Sequence, residues 1–255
     1  MPRFFVRQDQ VLEEGTIILR GEDAHHIARS LRMAVEDELT VCDMQGREYT
    51  CRIVSFEEDR EVLVRILDVK EAENEPPCRI RVFQALPKGD KLDTVIQKAV
   101  ECGAAEIIPF ESERCVVRMK PEAEVRKTER RQRIAAEAAK QCGRSVIPTV
   151  EQTVSFDRML EEASRADVAL FCYEGDGTRP LGEILGEERE RLCTGQPRAT
   201  VSVVIGSEGG FSVEEAAAAV ANGMRSVGLG KRILRTETAS GFVLSCLAYV
   251  TELNG

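Results

Sequence analysis

The chain has 255 residues, 43% of them hydrophobic, which is enough for one sizeable core or two; its net charge of −9 excludes indiscriminate binding to nucleic acid, because attraction to phosphate needs positive potential. No run approaches the roughly 18 uninterrupted apolar residues of a membrane span, and the start, MPRFFVRQDQ, lacks the apolar core of a secretory signal, so a cytoplasmic protein is expected. Nine cysteines without a CxxC pair read as reduced core thiols, and the two histidines, His25 and His26, are adjacent; neither a metal set nor a Cys-His or Ser-His nucleophile is expected.

From Arg3 to about Val69 the chain reads as short strands, TIILR, ELTVCD, EYTCRIVSF and EVLVRILDV, with turn signals at Gln45-Gly46 and Glu57-Glu58-Asp59. Strands this short at this spacing predict a small β-barrel. One helical interruption, DAHHIARSLRM, sets Ile27 and Leu31 four apart on an apolar side and turns Arg29 and Arg32 elsewhere. Residues 70–77, KEAENEPP, are polar and end in two prolines, the composition of a linker, so a first domain is expected over 1–71 and a second over 76–255. Beyond the linker, apolar runs alternate with helical patterns. IRVFQAL is followed by DKLDTVIQKAVECG, EIIPF, a long basic helix centred on residues 125–142, DVALFCYE, VSVVIG, SVEEAAAAVANG, RSVGLG and a last apolar helix from about Thr238 to Leu253. Such alternation predicts an α/β domain on a parallel sheet. Residues 112–144 hold ten Lys or Arg against five Glu, a local +5; taken alone, this is a solvated helix with Glu and Arg three or four apart.

Chemistry-bearing residues gather in two glycine-bearing turns. In residues 201–220, VSVVIGSEGGFSVEEAAAAV, a buried-type strand enters a turn and then a helix. Gly206, Gly209 and Gly210 there permit positive φ or close approach to a ligand, and Ser212 with Glu215 forms a capping box. The turn has neither the GxGxxG of a dinucleotide site nor the GxxxxGK of a P-loop, and Glu208 would repel phosphate. A cationic or weakly anionic ligand fits better, unless the glycines serve only the geometry of the connection. In residues 229–240, LGKRILRTETAS, the charged residues Lys231, Arg232, Arg235 and Glu237 precede an apolar helix. Either they form a site, or Arg235 and Glu237 pair with each other and the threonines cap the helix. Ligands of open α/β sheets sit beyond the carboxyl ends of the strands, where these two turns are expected side by side.

Together, IGSEGGFSVEE and LGKRILRTETAS resemble the C-terminal motifs of the SPOUT methyltransferases, specifically of the family that methylates uridine N3 in 16S ribosomal RNA. MPRFFV, HHIARSLRM, KGDKLDTVIQKAVECGAAEIIPF, SERCVV and RIAAEAAKQCGRSVIP are similar to the same family in the same order, so the resemblance covers nearly the whole chain. It implies an α/β C-terminal trefoil-knot (SPOUT) methyltransferase domain behind a small N-terminal PUA-like β-barrel, and a homodimer. It also implies S-adenosylmethionine (SAM) as methyl donor, no metal, and 16S ribosomal RNA, within the 30S subunit, as partner. A knot breaks the ordinary rules of chain connection and is not written in the periodicity.

Carried over motif by motif, the resemblance implies SAM contacts from Cys172, Tyr173 and Glu174, from Ile205, Gly206, Ser207, Glu208, Gly209 and Gly210, and from Leu229, Gly230, Ile233, Leu234, Arg235, Thr236 and Thr238. It implies RNA contacts from Arg3, His26, Arg29 and Arg32 in the barrel and from Lys88, Lys91 and Arg114 beyond it. The chain departs from the family at Ser207, where proline is usual, at Cys142, where serine is usual, and in lacking a tryptophan in the basic helix. Uridine N3 is a poor nucleophile until its proton leaves, so a base or an anion stabiliser is needed. Glu237 is the candidate base and Arg235 the candidate stabiliser. Two rival readings remain: the same fold acting on another RNA position, and a non-enzymatic ribosome-assembly factor that binds RNA through the barrel.

Overall fold

Where the chain's short strands end and its helices begin is set by a change of pattern near residue 76, and the computed structural model divides close to that point. It describes residues 1–12, 15–57, 60–118 and 121–254. Two compact units result, residues 1–75 with 139–147, and residues 76–138 with 148–255.

The first unit is a six-stranded sheet built from β1 (Arg3–Phe5), β2 (Val11–Leu12), β3 (Thr16–Arg20), β4 (Glu38–Cys42), β5 (Arg47–Glu57) and β6 (Glu61–Glu71), in the order β1-β4-β5-β6-β3-β2. Only β1 and β4 pair parallel. The alternation Ile17, Leu19 on β3 and Val62, Val64 on β6 puts one face of each strand inside. Phe4 from one edge strand shares a single core with Ile17 and Leu19 near the other edge, so the sheet curls on itself. Register shifts at Thr50/Cys51 and Ile53/Ser55 supply the bends. Between β3 and β4, α1 (Glu22–His25) runs into a π turn over His26–Ser30. Ile27 is fully buried there, but Leu31 is 40% exposed, contrary to the expected shared apolar side. The helix ends at Ser30, and Arg32 at φ 52° turns the chain away before Leu31 can face inward. Glu58 and Asp59 of the expected turn, and Lys120 of the basic run, lie outside the described residues.

In the second unit, β7 (Arg79–Ala85), α2 (Lys91–Glu101), β8 (Glu106–Glu111), α3 (Pro121–Cys142), β9 (Thr149–Val150), β10 (Val154–Ser155), α4 (Phe156–Ala163), β11 (Val168–Cys172), β12 (Arg179–Pro180), α5 (Leu181–Glu187), α6 (Arg189–Thr194), β13 (Thr200–Ile205), α7 (Val213–Ala221), β14 (Arg225–Gly228) and α8 (Thr236–Ala248) follow in order. The sheet is parallel throughout, ordered β10-β8-β7-β13-β11-β14-β12, with β9 also on β8. Consecutive residues are buried on the central strands, Val168 to Phe171 on β11, Val201 to Ile205 on β13 and Val82 to Ala85 on β7, as a sheet covered on both faces requires. Glu106 at the start of β8 receives Arg81 from β7 at 2.8 Å and Arg79 beside it. The last helix begins at Thr236 rather than Thr238, because Arg235 in extended conformation (φ −65°, ψ 150°) offers its carbonyl to Thr238 and Ala239.

This order sets the carboxyl ends of β7, β13, β11 and β14 in a row. The two glycine-bearing turns come together as expected, Thr236 donating to the Gly206 carbonyl, although in the sheet β11 and its own end, Cys172 to Glu174, stand between their strands.

Candidate functional site

The turn after β13 is bound from several sides. Gly210 at φ 63° closes it, donating its N–H to the Ser207 carbonyl at 3.0 Å in a conformation that disfavours any side chain. At Gly206 the constraint is space: a Cβ would stand 3.2 Å from the Phe211 ring and 3.3 Å from Gly210. Phe211 then roots the turn in the core, packed on Phe171 at 4.3 Å and stacked on Phe110 at 6.3 Å. The expected capping box forms, Ser212 Oγ accepting from the Glu215 N–H at 3.2 Å and Glu215 Oε2 from the Ser212 N–H at 3.0 Å. Glu215 has a second duty, since its Oε1 accepts the Glu113 N–H at 2.7 Å and so fixes the loop after β8. Arg114 in that loop donates to the Gly209 carbonyl at 3.1 Å.

The loop after β14 reaches the same turn through α8. Thr236 Oγ1, buried, donates to the Gly206 carbonyl at 2.6 Å and accepts from Gln84 Nε2 at 2.8 Å. One hydroxyl thereby joins the ends of β7, β13 and the start of α8. On the outer side, Lys91 Nζ lies 2.8 Å from Glu208 Oε1 and 3.5 Å from Glu237 Oε2, while the Lys88 N–H donates to Glu208 at 3.1 Å. For Glu208, burial works to raise the carboxyl pKa, but the bonds from Lys91 and the Lys88 amide outweigh it and hold the group below its ordinary range. The repulsive charge foreseen in this turn is thus already matched.

These loops enclose a cavity of about 420 Å³. Of the expected SAM residues all but Gly209 and Thr238 line it, and Arg235 lines it while Glu237 stands behind it against Lys91. Lys231, Arg232 and Arg235 rise around it, exposed and without an ion pair among the described residues. Glu174 lines it as a carboxylate without an ion pair among the described residues, and Ser207 Oγ is buried without a hydrogen-bond partner among them. Burial pushes the Cys172 thiol up to about 12, so it meets the cavity as a neutral group. Sequence reasoning missed Thr178, Phe211, Gly228 and Ala239 in the lining. Gly228 was legible as a glycine ending a strand, and the structure explains it, because a Cβ would meet Thr178 Oγ1 at 2.9 Å. Thr178 itself carries no sequence signal.

The residues expected at RNA fall differently. In the first unit His26, Arg29 and Arg32 are exposed, His26 edge-on to Phe4, whereas Arg3 is largely buried and donates to Glu48 at 2.7 Å and to Cys42 Sγ at 2.9 Å. In the second, the Lys88 side chain is exposed, Lys91 and Arg114 brace the glycine turn, and two of the basic-helix arginines are bound to carboxylates, Arg130 to Asp93 at 2.6 Å and Arg131 to Glu124 at 3.6 Å. Among the described residues no group of three His, Cys, Asp or Glu could hold a metal ion, and no helix is long and apolar enough to cross a membrane.

Comparison with known proteins agrees with this geometry. Residues 74–248 match the model of an RNA methyltransferase domain and residues 19–67 that of an RNA methyltransferase PUA domain. Ribosomal RNA small subunit methyltransferase E of Bacillus subtilis is 34% identical over 256 residues, covering 99% of this chain and 98% of the relative. The crystal structure of a ribosomal RNA small subunit methyltransferase E from Neisseria gonorrhoeae bound to S-adenosyl methionine superposes with a TM-score of 0.82 at 29% identity, over 98% of each chain. A crystal structure described only as that of a hypothetical protein reaches 0.89 at 32% identity, over 99% of this chain and 100% of the other.

Proposed function

The chain belongs to the ribosomal RNA small subunit methyltransferase E family, a SPOUT-type α/β domain behind a PUA-like one, and from that premise we propose that it methylates N3 of one uridine in 16S ribosomal RNA with SAM as donor. The observation that carries this reading is the cavity at the carboxyl ends of β11, β13 and β14, rimmed by backbone from two glycine-bearing loops. Its volume of about 420 Å³ suits a ligand of this size. Its open edge at Gly230, a Glu174 carboxylate in no ion pair and a Ser207 Oγ with no hydrogen-bond partner among the described residues suit a donor with positive charge and hydrogen-bonding groups. SAM, when bound, supplies a methyl group activated by its sulfonium.

The chain's own residues then have to bind, orient and move one proton. Backbone from Ile205 to Gly210 and from Leu229 to Thr236 holds the donor, and Glu174 faces its positive end. Arg235, whose side chain has no ion pair among the described residues, stabilises the negative charge that grows on the uracil ring as the N3 proton leaves for Glu237 in the first turn of α8. Alignment of donor and nucleotide supplies the rest of the acceleration. Lys231 and Arg232 at the rim, with Arg29, Arg32 and Lys88, meet RNA phosphates as local cations in an acidic protein, and the exposed His26 ring adds a hydrogen-bonding group to them.

We also propose the trefoil knot in the 76–255 domain, an RNA-binding role for the 1–71 domain, action in the cytoplasm on RNA within the 30S particle, and a homodimer. An apolar groove lined by Leu181, Leu185, Phe242, Cys246, Tyr249 and Val250 supports the last of these. Methyl transfer from labelled SAM to free 16S RNA and to 30S particles, with the product mapped by mass spectrometry, tests the reading. A single N3-methyluridine is expected, with more transfer on 30S. Label at another base or a ribose would move the chain to the first rival function, and SAM binding without transfer to any RNA would favour the assembly factor.

A further inference from the structure

A cation in the first turn of a helix opposes the helix dipole, so a lysine as the first residue of α2 breaks a local rule, and such breaks are expected where a residue serves something beyond its own element. Lys91 reaches outward to two carboxylates that belong to different loops: Glu208 in the glycine turn after β13 and Glu237 at the start of α8. Without the ammonium those two negative charges would face each other at the edge of the cavity, with the Lys88 amide left on Glu208 alone. The hydrogen bond that Lys91 donates to Glu208 is the chief reason its pKa lies above the ordinary value. Gln84, at the end of β7, makes the matching inner connection through Thr236 to Gly206. Both connections thus rise from one β-strand and its following helix and close on the same pair of loops.

We propose that Lys91 is a positioning residue of the donor site, tying the glycine turn to the start of α8 so that both loops are preorganised for SAM before RNA arrives. This differs from the RNA contact expected of it, and it rests on the reading that the cavity holds SAM. The tie holds the Glu237 carboxylate near the cavity wall and keeps the lining Glu208 carboxylate paired with the Lys91 ammonium.

The test uses the full-length protein without RNA, titrated with SAM by calorimetry, followed by transfer kinetics. Lys91→Met is expected to raise the Kd for SAM about tenfold and to lower kcat, leaving the KM for RNA and its salt dependence near wild type. Lys91→Arg, which keeps the charge, is expected to recover most of the loss. Adding Glu208→Gln to Lys91→Met is also expected to restore SAM binding in part, because it removes one of the two opposed charges, a recovery that a merely structural lysine would not allow. Lys88→Ala, by contrast, should leave SAM binding intact while reducing the salt slope of RNA binding by about one. If Lys91→Met bound SAM like wild type and lost RNA affinity in the manner of Lys88→Ala, the proposal would be overturned while the methyltransferase reading stood. A wild-type protein that did not bind SAM would end both.

Discussion

Glu237 carries the account's sharpest statement about a single residue. It sits behind the cavity wall in the first turn of α8, paired with Lys91, while Arg235 two residues earlier lines the cavity with no ion pair among the described residues. If Glu237 takes the N3 proton, Glu237→Gln keeps the shape and the hydrogen bonding but loses the base. Single-turnover transfer is expected to fall by about a hundredfold or more, with the Kd for SAM unchanged. Transfer at the wild-type rate across the pH range would reduce Glu237 to a structural partner of Lys91. At this scale the sequence was informative where a residue type is tied to one geometry, as with Gly206, Gly210 and the Ser212–Glu215 box. It was uninformative where a charged side chain could serve either RNA or the protein itself. Arg3, Lys91 and Arg114 have the same signature as Arg29 or Lys88, yet they bond to Glu48, Glu208 and the Gly209 carbonyl.

At the scale of elements, the β13–turn–α7 unit is the piece on which the site is built, and its helix start does two jobs. Ser212 satisfies the Glu215 N–H, and Glu215 in return holds both the Ser212 and Glu113 N–H groups. Ser212→Ala is expected to cost about 1 kcal/mol of stability in urea denaturation, the usual value of an N-cap. SAM binding is expected to weaken as well, since the loop bearing Arg114 loses part of its anchor; an unchanged SAM titration would separate the cap from the site. The strands were legible because their two patterns differ: alternation on β3 and β6 of the half-exposed sheet, an unbroken apolar run on β11, and runs broken only by Ser202 on β13 and by Arg81 and Gln84 on β7 in the sheet buried on both faces. Short elements were not: β9, β10 and β12 have two residues each, too few for any period, α5 and α6 are barely two turns long, and α4, whose stripe Phe156, Met159, Leu160 and Ala163 is regular, spans only eight residues. The order of strands was also beyond the pattern: the two turns meet as expected, although β11 lies between their strands.

For the molecule as a whole, an acidic chain that acts on RNA has to confine its attraction to a few exposed cations, so its grip on RNA should be modest, with a salt slope only as steep as that small number of phosphate contacts. The apolar groove beside α5 and α8 adjoins the cavity proposed for the donor, sharing Thr178, Gly228, Leu229 and Gly230 with it. A second copy seated there would press on the donor loop. Sedimentation equilibrium is expected to give a dimer for the wild type and a monomer with weakened SAM binding for Phe242→Asp; a monomeric wild type would remove the homodimer from the account. Beneath all of this is one spatial statement, that the methyl donor lies between the turn after β13 and the loop after β14. A crystal structure of the protein grown with SAM tests it most directly. The account expects the donor in contact with backbone of residues 205–210 and 229–236, with Glu174 and Ser207 turned toward it; a donor bound elsewhere, or those loops closed on each other by their own side chains, would contradict it.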